Sequence, residues 1–373
     1  MQFAELATVR HRVQLGAPLP FNVRHADTTL LLGRGQRIGS QEQLDALFAR
    51  GALVDMAELR TARDTIQQAP REQLPALWAQ CMTRVADVLL APGQEGFSSA
   101  LEEASGPVQE LIARDPDLAI FQVLRQSGNA DMDYGAQRSM QTAITSHLVA
   151  HRLGWAPPQC ELAFNVALTS NVAMLELQGL LARQTQILSE EQKALCRDHP
   201  TRGVRILEQA GVTSRDWLHA VEYHHEREDG SGYPAGRNDV GELASLVRRA
   251  DIYTSKLAGR SSRDALAADQ AGRQMFMQDS SNPITAALVK EFGIYPPGCM
   301  VRLVSGELAL VVGRGPTINA PVVSCLTNAK GVAIDAPVRV ATAERGRGVV
   351  GVVGENQFGK PQPAQRLLAA LAA

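Results

Sequence analysis

The sequence predicts an α+β multidomain chain, with a mostly helical centre flanked by a small N-terminal β module and a C-terminal small β-barrel. Three observations carry the prediction. Short apolar segments alternate with turn residues before residue 58, helical periodicity fills the middle, and β-branched runs of strand length separated by glycine turns follow residue 297. At 373 residues the chain is long enough for about two or three domains with a normal core.

The elements follow in order. In the first module, residues 1–58, the stretch "LPFNVRHADTTLLLGRGQRI" has the punctuation of a β-hairpin. A helix comes next: Ser40 with Gln43 forms a capping box, "EQLDALFARG" is apolar at helical spacing, and Gly51 is placed to stop it. Residues 59–127 read as a helical linker region, with breaks at Pro92-Gly93, Gly106-Pro107 and Pro116. Residues 128–296 are helical and hold every histidine except His11 and His25. There "SEEQKALCRDHPTRGVRILEQAG" opens on Ser189 and Gln192 as a second capping box, with Leu195, Val204 and Leu207 on apolar stripes. Residues 297–353, with "MVRLVSGELALVVGRG", "APVVSCLT" and "APVRVA", read as the small β domain. Residues 354–373 end in a short amphipathic tail helix, "PAQRLLAALAA". No internal repeat or low-complexity tract is present.

Bulk chemistry excludes several function classes. A net charge of -2 and a pI near 6.5 give no field to recruit a nucleic-acid polymer or an anionic membrane surface. A small anion held by local groups stays compatible with those numbers. Five cysteines without a CxxC pair imply reduced thiols and a cytoplasmic location. The first twenty residues lack a basic-then-apolar signal, and no apolar run reaches membrane-spanning length.

The chemistry concentrates in "HHEREDGSGYP", residues 224–234. Each imidazole carries a donor and an acceptor, so a buried neighbouring pair suits a metal better than simple packing. Adjacent residues diverge by about 100° on a helix, which fits two ligands at a helix end, or a site where two metals are held at slightly different angles. Glu226 and Asp229 are candidates for second-tier support of the imidazoles. The glycines and Pro234 are turn chemistry that lets backbone and the Tyr233 ring approach a ligand closely. His147 and His151, spaced i, i+4, form a weaker candidate pair, and His219 is uninformative.

This string resembles the motif of the HD-GYP proteins, metal-dependent phosphodiesterases of the bacterial second messenger cyclic di-GMP. "HPTRGVRIL" (199–207) is similar to the family's His-Pro helix, and "RADIYTSKLAGRSSR" (249–263) to its Asp-bearing helix. "EFGIYPPGCMVRLVSGELALVV" looks like the segment that commonly follows, so the resemblance spans about 128–313, with a weaker echo in the N-terminal hairpin. It implies an HD-type helical domain whose metals are held by an early His, a His-Asp dyad followed by Lys, the His of His-Pro, the His-His pair and a late Asp.

Residue by residue, His199, His224, His225 and Asp251 match that ligand set. The dyad does not: Ser170 and Asn171 stand in its place, Met174 stands where the lysine falls, and Gln137 or Arg138 where the early histidine belongs. A neutral amide cannot bridge two cations, and an arginine beside a dication is repulsive. A two-metal centre is therefore not expected. One iron, manganese or zinc ion on the three histidines and Asp251, or none, is; four ligands would fill a tetrahedral shell and leave no place for an attacking water. His147 or Glu161 is a conceivable replacement ligand. Tyr233, Gly232 and Pro234 in the loop, with Arg260 and Arg263 beyond the late aspartate, match the family's ligand-contacting positions.

The resemblance thus implies a degenerate HD-GYP protein, catalytically inactive, that binds cyclic di-GMP or a protein partner in bacterial signalling. Two other readings stay open: a phosphodiesterase with a reduced metal site, and a purely structural interaction domain.

Overall fold

In the computed structural model, residues 2–59, 62–125, 134–259, 261, 264–354 and 362–372 are described. The chain divides into two compact units, 1–69 and 70–373.

The first unit is built on a four-stranded antiparallel sheet of order β1-β4-β2-β3: β1 (Phe3–Glu5), β2 (Val23–Arg24), β3 (Leu30–Leu32) and β4 (Leu53–Asp55). The expected hairpin is the β2–β3 pair. Helix α1 (Gln41–Ala49) starts at Ser40, whose Oγ accepts from the Gln43 N–H at 3.2 Å. The return arm of the box reaches one residue further back, with Gln43 Oε1 accepting from the Gly39 N–H. Gly51, at φ +61°, ends the helix as its spacing implied. Phe21, Val23, Ile38, Leu44 and Val54 form the core. The short helices α2 (Met56–Leu59) and α3 (Ala62–Gln68) carry this unit past residue 58.

The second unit begins with α4 (Leu74–Leu89), α5 (Phe97–Arg114) and α6 (Pro116–Arg125). They pack on one another and on α7 (Tyr134–Arg152). Breaks fall at Pro92-Gly93 and at Pro116, where Asp115 Oδ1 caps α6 by accepting from the Leu118 N–H. The expected break at Gly106-Pro107 does not occur. Helix α5 runs through it because Leu101, Ala104, Val108 and Leu111 are buried on both sides of the proline, and that burial outweighs one lost backbone hydrogen bond.

The rest of the helical body is α8 (Pro157–Thr169), α9 (Leu175–Arg183), α10 (Glu190–Gln209), α11 (Arg215–Tyr223), α12 (Glu242–Leu257), α13 (Ala268–Gln278) and α14 (Pro283–Phe292). Helix α10 has its full capping box at Ser189 and Gln192. Leu207 faces the core, whereas Leu195 is exposed.

The C-terminal strands are β5 (Met300–Leu303), β6 (Leu308–Gly313), β7 (Val322–Thr327), β8 (Ala333–Ala341) and β9 (Val349–Val352). They form one antiparallel sheet, β8-β7-β6-β5-β9, and not the expected barrel: β8 and β9 are its two edges, with no ladder between them among the described residues. Closure demands a consistent tilt and stagger from every strand, and four-to-six-residue partners beside the nine-residue β8 do not supply it. Instead helix α15 (Ala364–Ala372) lies against β6, β7 and β8, with Arg366 Nη2 donating to the carbonyls of Leu326 and Ile334. Glu291 of α14 receives both Arg152 of α7 and Arg314 beyond β6, and Arg314 also pairs with Asp117 of α6.

Candidate metal centre

Three imidazoles meet where α10 passes the end of α11. His199 sits in the middle of α10, and His224 is the residue that ends α11, followed directly by His225. The adjacent histidines are therefore a helix-end pair, as their spacing implied. Their ligand atoms lie within 4.8 Å of one another, the one such group of three or more among the described residues.

The ring orientations have a chemical meaning. His199 Nδ1 lies 2.7 Å from the Cys196 carbonyl and His224 Nδ1 lies 2.7 Å from the Val221 carbonyl. A carbonyl only accepts, so Nδ1 carries the proton in both rings and Nε2 carries the lone pair. Those two Nε2 atoms face each other at 3.3 Å. Two lone pairs that close repel unless an electrophile lies between them, and backbone-anchored imidazoles are the usual preparation for a metal. Burial, then the neighbouring His224, pushes His199 down to about 3; burial lowers His224 against the pull of the Val221 carbonyl and Asp251, and burial with the two neighbouring rings lowers His225. All three are neutral at pH 7, the form that ligates.

Asp251 does not join them. It lines the same cavity, but its Oδ1 accepts from Arg138 Nη2 at 3.1 Å, and its backbone carbonyl accepts from the same nitrogen at 3.2 Å. Arg138 is 4% exposed. The residue expected as the fourth ligand is thus paired through Oδ1 with a guanidinium in this structure. A one-ion centre of three imidazoles fits the residues; a two-ion centre does not, because Ser170, Asn171 and Met174 contribute no charge. The Ser170 hydroxyl donates to the Ala167 carbonyl and the Asn171 amide donates to Ser170 Oγ. His147 and Glu161 do not substitute: His147 lies edge-on to Phe164, while Glu161 and His151 are exposed.

The loop after the histidines is held by a carboxylate. Glu226 is fully buried, and its oxygens accept from the backbone N–H groups of Ala235, Gly236 and Arg237 at 2.6–3.0 Å. It organises the loop and does not orient an imidazole, contrary to expectation. Asp229 is exposed, pairs with Arg227, and accepts from the N–H and Oγ of Ser231, so it too lies away from the rings. Gly232 is required by space, since a Cβ there would fall 2.4 Å from Glu226 Cα and 2.6 Å from the His225 carbonyl. This close approach lays Tyr233 over His225, with ring centroids 4.6 Å apart and planes at 21°. Pro234 follows directly in that turn. Arg260 and Arg263 lie outside the described residues.

Sequence reasoning missed the ring of charges behind this loop. Arg249 donates to Glu228, Ser245, Asp279 and Thr285, and Arg248 donates to Glu228. Burial alone would raise Glu228, but the bonds from Ser245 and Arg249 hold it at about 2. The adjacent arginines after the apolar pair Leu246-Val247 in "ASLVRRADI" were the available signal. The cavity beside the histidines, about 240 Å³, is lined by His199, His225, Tyr233 and Asp251, with Asn171 and Met174.

The class of the central part follows from this geometry and from its match: residues 129–281, which enclose α7 to α13 and the imidazole cluster, match the family described as HD domain. Two curated relatives are similar over longer stretches. One is the cyclic di-GMP phosphodiesterase PA4108 of Pseudomonas aeruginosa, 27% identical over 61% of this chain and 56% of its own length. The other is the cyclic di-GMP phosphodiesterase response regulator RpfG of Xanthomonas campestris pv. campestris, 26% identical over 46% of this chain and 44% of its own. These matches support the resemblance of residues 129–281 to the HD-GYP proteins. The chain spans about half the length of the curated relatives it matches. Among solved structures, Bd1817, an HDG"Y"P protein from Bdellovibrio bacteriovorus, superposes with a TM-score of 0.49 at 16% identity, over 78% of this chain and 98% of that one. Among the described residues, no helix is long and apolar enough to cross a membrane.

Proposed function

We propose that this chain is a catalytically silent HD-GYP protein that acts in bacterial cyclic di-GMP signalling by binding, either the nucleotide or a protein partner. The observation that carries the reading is the histidine-lined cavity in which the positions opposite the ligand set, Asn171 and Met174, are neutral. Hydrolysis of a phosphodiester by a metal pair relies on one ion for the attacking oxygen and another for the leaving oxygen. One ion on three imidazoles supplies half of that clamp. The relatives named as cyclic di-GMP phosphodiesterases support the ligand class. The cavity is large enough for part of a dinucleotide, with Tyr233 in its wall to stack on a base; phosphate contact by Arg260 and Arg263 rests on the family resemblance alone. The five unpaired cysteines agree with a cytoplasmic protein.

A second reading, a one-metal phosphodiesterase, has one observation in its favour: Asp251 is withdrawn, so three ligands leave a coordination position open. Titration calorimetry with cyclic di-GMP, paired with chromatography of the reaction mixture after incubation with zinc or manganese, separates them. Heat without linear product is expected. Linear product supports the hydrolase, and the absence of heat up to millimolar nucleotide leaves the partner-binding form.

A further inference from the structure

We infer that Arg138 is a resident cation of this site: by holding the carboxylate of Asp251 it leaves three imidazoles that take a single zinc-class ion and admit no second one. Among the described residues lining the cavity, Asp251 is the one carboxylate, and its Oδ1 is committed to Arg138.

The guanidinium is built into the packing. Arg138 Nη1 donates to Gln141 Oε1 at 3.4 Å, and Gln141 Nε2 donates in turn to the Val123 carbonyl at 3.0 Å. The Arg138 carbonyl accepts from Thr142 Oγ1, which also contacts Thr254 of α12. One turn earlier, Gly135 presses on α9 so closely that a Cβ would fall 2.4 Å from the Leu175 carbonyl. That contact fixes the start of α7, and with it the height at which Arg138 meets Asp251.

Two consequences follow from donor chemistry and charge. Imidazole nitrogens suit zinc, cobalt and copper, whereas manganese and magnesium favour carboxylate oxygens. Three neutral rings also bring no negative charge, so a second dication would face a guanidinium with no bridging anion between them. Nothing at Ser170 or Asn171 changes this balance.

The inference rests on the histidine cluster of the proposed function, but metal count and nucleotide binding are read separately, so either can fail alone. The full chain is dialysed against zinc, cobalt or manganese and its metal content measured, with the visible cobalt spectrum reporting coordination. One zinc or cobalt per chain is expected, with manganese bound at least tenfold more weakly. Asp251→Asn should leave zinc affinity within about twofold, because Asp251 is not a ligand. Arg138→Gln frees the carboxylate, and should raise manganese affinity about tenfold and alter the cobalt spectrum. Two ions in the wild type, equal affinity for manganese and zinc, no zinc binding, or loss of zinc in Asp251→Asn would each overturn the inference. If Arg138→Gln does not fold, the metal preference of the wild type and the Asp251→Asn titration decide it.

Discussion

His199 Nδ1 lies 2.7 Å from the carbonyl oxygen of Cys196. In an α-helix that carbonyl receives the amide of the residue four positions on, and here that residue is Pro200, which has no N–H. The proline withholds the helical donor, and the imidazole supplies one in its place. The His-Pro pair is thus a device for fixing a tautomer: the helix gives up one backbone bond, and Nε2 is aimed at His224.

Pro200→Ala is expected to return an amide donor to the Cys196 carbonyl and set it in competition with the ring. Zinc affinity should fall about tenfold, the lower end for loss of an orienting partner, while the helix gains on the order of 1 kcal/mol or more. Chelator competition and chemical denaturation read the two effects, and a variant that loses stability without losing zinc would remove the proline from this role.

Glu226→Ala removes a buried acceptor shared by three backbone N–H groups. A destabilisation of about 3 kcal/mol is expected, because buried donors left unpartnered lose the full solvation of water. Glu226→Gln keeps one oxygen and should lie between. Urea unfolding of the three proteins orders them.

Gly232→Ala forces a methyl against the backbone of residues 225–227. Relief requires the loop to shift, so about 2 kcal/mol should be lost and the Tyr233 ring should leave His225. Thermal unfolding gives the first quantity, and a change in tyrosine fluorescence the second.

Burial, then the charge of His151, lowers His147 to about 4 from an ordinary 6.5. A base that is harder to protonate when folded takes up its proton on unfolding. The associated stability is complete above about pH 6.5 and drains away as pH falls toward 4. Between pH 7 and pH 5 this residue alone should remove about 2 kcal/mol. His147→Leu, which cannot titrate, should lose correspondingly less over that interval in paired denaturation curves; equal slopes would show that His147 is not the source.

What the sequence disclosed was what local chemistry decides. The caps at Ser40 and Ser189 and the helix-end histidine pair depend on residues within a turn or two, and each was legible. Helix α5 running through Pro107 was not, because that outcome is set by which neighbours cover Leu101 and Val108. The open sheet was not, since closure depends on whether β8 meets β9 across the whole domain. Glu226 was misread for a similar reason: its partners are backbone amides nine to eleven residues on, invisible to side-chain pattern. At the site, the matching residues named the histidines that the fold brings together, and Ser170 and Asn171 stand where the resemblance puts a His-Asp dyad. The position of Arg138 was noticed, but its partner Asp251 lies 113 residues away, and only the fold brings them together.

Glu291 has a consequence for how this unit comes apart. It is 6% exposed and grips Arg152 and Arg314, while Arg314 also grips Asp117, so three helices and the end of β6 share one buried knot of charge. Pulling the sheet away would take Arg314 from Glu291 and Asp117 together and leave the buried Glu291 with Arg152 alone, a penalty that frayed ends do not incur. Helices and sheet from residue 70 onward should therefore melt together, as one endotherm in scanning calorimetry, and Glu291→Ala should split that peak in two.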